Sequence, residues 1–168
     1  MMPANLLSRR HFMFASLGAF AGPSLLAVPA RAELVIDLRK GTFQPMPIAI
    51  ADFTGEGGAA VSGVIANNLK RSGYFVPIDK GRHPEKAPAF DAAPAFEAWK
   101  AAGTQGLVTG RVSRDGGRLK AEFRLWDVVS GQQIVGQQYF TDPNNSRRVA
   151  HIISDAVYAK VTGLGGFF

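Results

Sequence analysis

"GLVTGRVSRDGGRLKAEFRLWDVVSGQQIVGQQYF", residues Gly106–Phe140, is the stretch that decides the fold. "GLVTGRV" (106–112) is a strand. "SRDGGR" (113–118) is a hairpin turn, because Asp-Gly-Gly reaches positive φ cheaply. In "LKAEFRLWDV" (119–128), Leu119, Ala121, Phe123 and Leu125 alternate with Lys120, Glu122, Arg124 and Trp126. That period of two marks a half-buried antiparallel strand. "VSGQ" turns the chain and "QIVGQQYF" (133–140) pairs back, giving a three-strand meander.

Beyond the meander, "TDPNNS" (141–146) opens a helix, with Asn145 or Ser146 as cap. Val149, Ile152, Ile153, Ala156, Val157 and Val161 form its apolar stripe, and Gly163 ends it. In the N-terminal half, "ELVIDL" (33–38) reads as a short strand and "MPIAIADF" (46–53) as a buried one. A helix runs from Ala59 to Ser72, with Val61, Val64, Ile65 and Leu69 at helical spacing and Gly73 as its stop. "YFVPID" (74–79) is a strand that Pro77 confines to an edge or a bulge. Residues 80–94 form a loop. A short helix follows around Ala95–Gly103, with Phe96 and Trp99 on one face. Trp99 and Phe123 are expected on inner faces. The fold class is α/β of the α+β type: a small mixed β-sheet with two main helices packed on one face and an antiparallel meander in the C-terminal half.

Residues 1–32 are set apart. Arg9 and Arg10 precede an apolar run from Phe12 to Val28, and Ala30-Arg31-Ala32 follows as a small-x-small cleavage motif. "SRRHFM" gives this leader a twin-arginine character. Gly18, Gly22, Pro23 and Pro29 interrupt the run, so the expectation is export with cleavage after Ala32, and no integral membrane segment afterwards. The leader holds three of the 19 basic residues and none of the 13 acidic ones, so the chain from Glu33 carries a net +3 in place of +6. Its charges are scattered, with no Lys/Arg stripe, which argues against nucleic acid as a partner. There are no cysteines, so neither disulfides nor cysteine-held metal enter the expectation. The chain from Glu33 has two histidines, His83 and His151, too few for a histidine-rich metal cluster. No metal and no cofactor are expected.

Two patterns mimic active sites. "HIISD" puts His151, Ser154 and Asp155 at i, i+3 and i+4 on a helix. A hydrolase needs its serine on a strained elbow facing an oxyanion hole, which a mid-helix Ser154 lacks. The expectation is a structural role and no catalytic residue. "IAIADFTGEGGAAVSGVIANNLKRSGYFVPID" offers Gly55-x-Gly57-x-x-Ala60 between strand and helix, then Asp79, close to a dinucleotide fingerprint. Asp52 and Glu56 would repel a pyrophosphate, and the meander leaves no second nucleotide-binding half. A plain strand-to-helix loop is the preferred reading.

"NNLKRSGYF" (67–75), "FEAWKAAGTQGLVTGRV" (96–112), "FRLWDVVSGQQIVGQQYF" (123–140) and "RRVAHIISDAVYAKVTGLGGFF" (147–168) together resemble the N-terminal domain of the TolB family. The resemblance covers about Ile48 to Phe168. The family's usual ending is nearer "LTGEKGYF"; here it is "VTGLGGFF". The resemblance implies a non-catalytic, periplasmic component of the Tol-Pal envelope system, which supports outer-membrane integrity and constriction at division. In the family an N-terminal segment engages the periplasmic domain of TolA. Here it corresponds to residues 33–45, with Glu33, Leu34, Val35, Ile36, Asp37 and Leu38 as the partner-binding arm, Gly41 as a hinge and residues 46–168 as the domain. The family's propeller binds the lipoprotein Pal. No propeller repeats lie within this chain, so Pal is an expected partner only where a propeller follows. The broader alternative is another exported envelope-assembly or lipoprotein-cofactor domain of similar fold.

Overall fold

A computed structural model describes residues 44–168. The leader with its cleavage residues Ala30 and Ala32, the "ELVIDL" strand and the arm Glu33, Leu34, Val35, Ile36, Asp37 and Leu38 lie outside the described residues. The described chain folds as β1 (Met46–Ile50), α1 (Gly58–Arg71), β2 (Phe75–Pro77), α2 (Phe96–Ala101), β3 (Gly106–Asp115), β4 (Arg118–Asp127), β5 (Gln132–Thr141) and α3 (Ser146–Thr162). Five strands form one mixed sheet in the order β2-β1-β3-β4-β5. β1 pairs in parallel with both β2 and β3, while β3, β4 and β5 are antiparallel. The α+β class expected from the sequence is the class observed.

The meander follows from local chemistry. Gly116 and Gly117, at φ 54° and 80°, turn β3 directly into β4. Positive φ at both central residues matches the right-handed twist of a two-residue hairpin. Along β4, Leu119, Ala121, Phe123 and Leu125 enter the larger core with Ile48, Ile50, Val108 and the inner faces of α1 and α3. Pro77 sits at the sheet's outer edge, where a missing N–H costs no ladder bond.

The opposite face carries a second, smaller core. Ala49, Ala51, Leu107, Trp126 and Val128 gather there around Trp99 of α2. The sequence pattern groups Trp126 with the polar residues of β4, yet it is buried. Its indole N–H donates to Thr109 Oγ1 at 3.0 Å, and Phe96 meets its ring edge-on at 5.6 Å. α1 and α3 thus cover one face, as expected, and α2 covers part of the other.

Two local expectations need correction. Asn145 occupies the N-cap position of α3, but neither it nor Ser146 makes a capping side-chain bond. Asp142 acts one turn earlier, accepting from the Asn144 N–H at 2.9 Å and starting a 3-10 turn that leads into the helix. The buried stripe of α3 is also rotated. Ala150, Ser154 and Tyr158 are buried, while Ile152 and Ala156 are only half-buried. The reason is that α3 packs on α1 as well as on the sheet, so its buried arc includes polar positions.

Candidate functional site

His151, Ser154 and Asp155 are neighbours on α3, but they do not act on one another. Ser154 is fully buried. Its hydroxyl donates to the Ala150 carbonyl at 2.7 Å, and its oxygen accepts from Asn68 Nδ2 of α1 at 3.0 Å. The same Asn68 nitrogen lies 2.9 Å from His151 Nδ1, and Asn68 Oδ1 accepts from Arg71 at 2.9 Å. Asn68 is therefore a polar clamp between the two long helices. A serine bonded to its own helix and shielded from solvent has no approach for a substrate. Asp155 turns the other way, and its Oδ1 accepts from the N–H groups of Phe167 at 2.6 Å and Phe168 at 2.8 Å.

The glycine-rich loop before α1 is shaped by packing. Gly55, at φ 90°, lies so close to β3 that a Cβ would stand 1.9 Å from the Val112 carbonyl oxygen. A Cβ on Gly58 would stand 2.1 Å from the Phe53 carbonyl oxygen. Thr54 donates to Gly110 O and accepts from Val112 N, lacing the loop to β3. Asp52 is buried, ion-paired with Lys80 and hydrogen-bonded by Ser62 at 3.0 Å. Burial opposes its charge, but the Lys80 and Ser62 bonds outweigh that and hold its carboxyl below the ordinary range. Asp79 does not face the loop as a ribose ligand would. It accepts from the Gly81 N–H at 2.7 Å and caps the short 3-10 turn Lys80–Arg82.

The 80–94 loop lies over the second face of the sheet. His83 meets Trp99 edge-on at 5.1 Å, and its burial holds the imidazole below its usual range. Phe90 is held by the Arg111 and Arg124 guanidinium groups, 4.7 and 4.4 Å from the ring centre. Arg111 also pairs with Glu122 at 2.5 Å and Asp91 at 2.9 Å. The Arg111 bond, against the desolvation, keeps the Glu122 carboxyl below its normal range. These are structural pairs, and among the described residues no group of three His, Asp or Glu is placed to hold a metal ion. Nor is any helix among them long and apolar enough to cross a membrane.

The start and the end of the described chain meet at one place. Met46, just after the 33–45 segment, donates its N–H to the Tyr74 carbonyl at 2.9 Å. The Tyr74 ring meets Tyr158 of α3 edge-on at 5.5 Å, and Tyr158 stacks on Phe167 at 5.4 Å. The root of the proposed arm and the segment after α3 thus share one aromatic junction. Sequence reading missed Asn68, Tyr74 and Tyr158. A signal existed for Asn68, because it lies seven residues after Val61 and three after Ile65, on the buried face of α1.

Comparison with known proteins agrees with this architecture. The family model for the TolB amino-terminal domain matches residues 34–134. A solved structure of TolB from Acinetobacter baumannii is similar at a TM-score of 0.65 and 28% identity, over 73% of this chain and 30% of that chain. The match thus spans less than a third of that protein's length. The LpoB C-terminal domain from Salmonella enterica is similar at a TM-score of 0.50 and 11% identity, over 61% of this chain and 87% of that chain. At that identity the likeness is one of fold.

Proposed function

The chain belongs to the TolB amino-terminal domain family, and from that premise we propose that it is a non-catalytic protein–protein interaction module of the Tol-Pal envelope system. It works in the periplasm after removal of residues 1–32, and helps to maintain outer-membrane integrity and constriction at division. Its arm, Glu33–Leu38, engages the periplasmic domain of TolA by adding a strand to that partner's sheet. Main-chain bonds give such an interaction its affinity, and alternate side chains give it selectivity.

The observation that carries the reading is the family match, which begins at residue 34 and so includes most of the arm. The described structure supports it in a second way. From Met46 onward the described residues carry an apolar cluster on each face of the sheet. Deletion of Glu33–Leu38 tests the proposal. The purified chain from Glu33 and its deletion variant are titrated against the TolA periplasmic domain, with circular dichroism on both. Binding lost with the fold retained is the expected result. Equal affinity overturns the role of the arm.

A further inference from the structure

The two edges of the sheet are built differently. β2 is three residues long and ends in Pro77. β5 runs ten residues, pairs among the described residues only with β4 and contains no Pro, Lys, Arg, Asp or Glu. Backbone groups alternate along a strand, so part of the β5 N–H and C=O set faces away from β4. Long edges are ordinarily guarded by a charge, a proline or a bulge. The one irregularity here, at Leu125/Trp126, touches only the start of β5 and leaves Val135–Thr141 in regular register.

The ground beside that edge is basic. Gly136 stands opposite Arg124, beside a notch of about 300 Å³ lined by Phe90, Glu122, Arg124, Gln133 and Gln137. The Arg124 guanidinium lies over Phe90 and Trp126, and among the described residues no carboxylate pairs with it. Glu122, the acid on the same face of β4, is taken by Arg111 and Lys120. Arg118 lies on the same face of β4 as Lys120, Glu122 and Arg124, so it extends the cationic strip on that face.

We propose that the β5 edge takes up an extended, acidic segment of another protein as a sixth strand, with one carboxylate seated in the Gly136 notch against Arg124. The uncharged strand supplies main-chain bonds, and Arg118 and Arg124 on one face select for acid on alternate positions. The surface is distinct from the Glu33–Leu38 arm. The arm donates a strand to a partner, whereas β5 accepts one.

The test uses a short fluorescein-labelled peptide alternating valine with glutamate, and its lysine counterpart, read by anisotropy against the chain from Glu33. The acidic peptide binds, more weakly as salt rises. Arg124→Gln and Gly136→Val each weaken it about tenfold, while Arg147→Gln on α3 leaves it unchanged. A Cβ at 136 meets side chains alone, the Gln133 amide at 2.7 Å and the Arg124 stem at 3.7 Å, and circular dichroism checks that the variant keeps its fold. Arg124→Glu transfers the preference to the lysine peptide. Equal binding of both peptides, or affinity unmoved by both variants, overturns the proposal. So does β5-dependent dimerisation in sedimentation, which would make a second copy the occupant. Binding that appears only after deletion of Glu33–Leu38 overturns it in favour of the chain's own arm.

Discussion

Asn68 on α1 donates to Ser154 on α3 at 3.0 Å, inside the buried seam between the two long helices. Both side chains are buried and polar. Asn68 serves three partners at once: Ser154, His151 and Arg71. Ser154 retains a bond to Ala150 within its own helix.

That asymmetry predicts unequal costs. Asn68→Ala strands several polar groups and should cost about 1–3 kcal/mol, since buried groups left unpaired lose their desolvation compensation. Ser154→Ala removes donor and acceptor together and should cost about 1 kcal/mol. Urea melts of the two variants check the order. The envelope function proposed for the chain should follow protein abundance in both, and a large loss for Ser154→Ala at normal abundance would restore a chemical role to that serine.

The glycines of the first loop give a second contrast. Gly55→Ala meets the Val112 carbonyl as well as an unfavourable φ, so β3 or the loop must move. Gly57 has a similar φ but open space around it, and Gly57→Ala should cost only about 1–2 kcal/mol. Thermal melts that rank Gly57→Ala as the worse variant would mean that the loop does not pack on β3 as described.

Trp99 and Phe123 are both fully buried, but in separate cores on opposite faces of the sheet. Each changed to Ala should cost about 3–5 kcal/mol. With no shared cluster, the costs in the double variant should add to within about 0.5 kcal/mol. Chemical denaturation of the three variants measures this, and strong non-additivity would show that the sheet couples its two faces.

The sequence made part of this legible. The meander was readable because Leu119 to Leu125 alternate and Gly116-Gly117 allows only a tight turn, both of them local signals. The position of β1 between β2 and β3 was not, because parallel pairing joins residues far apart in sequence, as with Ile48 and Gly106. The buried arc of α3 was misjudged for the same kind of reason. Hydropathy favours Ile152 over Ser154, whereas Asn68 across the seam and the Ala150 carbonyl together satisfy a buried serine there. The arm residues lie outside the described structure, and their role rests on the family.

Acid should weaken the domain through His83 before it reaches the carboxylates. Burial holds the folded imidazole below its unfolded value, so the neutral form is the one that fits. The unfolded chain then takes up a proton that the folded one refuses. Stability from this group is complete above about pH 6.5 and falls as pH drops toward the folded value. Asp52 and Glu122 are lowered as well, so their share is lost only near and below about pH 4. His83→Gln should flatten the melting temperature between pH 7 and pH 5 and leave the acid limb below pH 4 in place. An unchanged slope in the variant would mean that His83 is as free to charge in the folded state as in the unfolded one.

The segment after α3 is held by one carboxylate. Asp155 accepts from both Phe167 N–H and Phe168 N–H, while Phe167 stacks on Tyr158. A carboxylate accepting two backbone donors is stronger than a neutral acceptor. Asp155→Ala should therefore release the segment while leaving the buried stripe of α3 intact, since Asp155 is itself only half-buried. Amide exchange at Phe167 and Phe168 should accelerate about tenfold or more, a loss of at least about 1.4 kcal/mol of local protection. Exchange at Val157 and Val161 should barely change. Asp155→Asn keeps one acceptor oxygen without the charge, so its exchange rates should fall between those of the original and the alanine variant. Because Tyr158 also touches Tyr74, whose carbonyl holds Met46, the amide of Met46 reports whether the loosening crosses the junction. Faster exchange there would tie the segment after α3 to the root of the arm. Rates at Phe167 and Phe168 that ignore Asp155→Ala would show that the aromatic stack alone holds the segment in place.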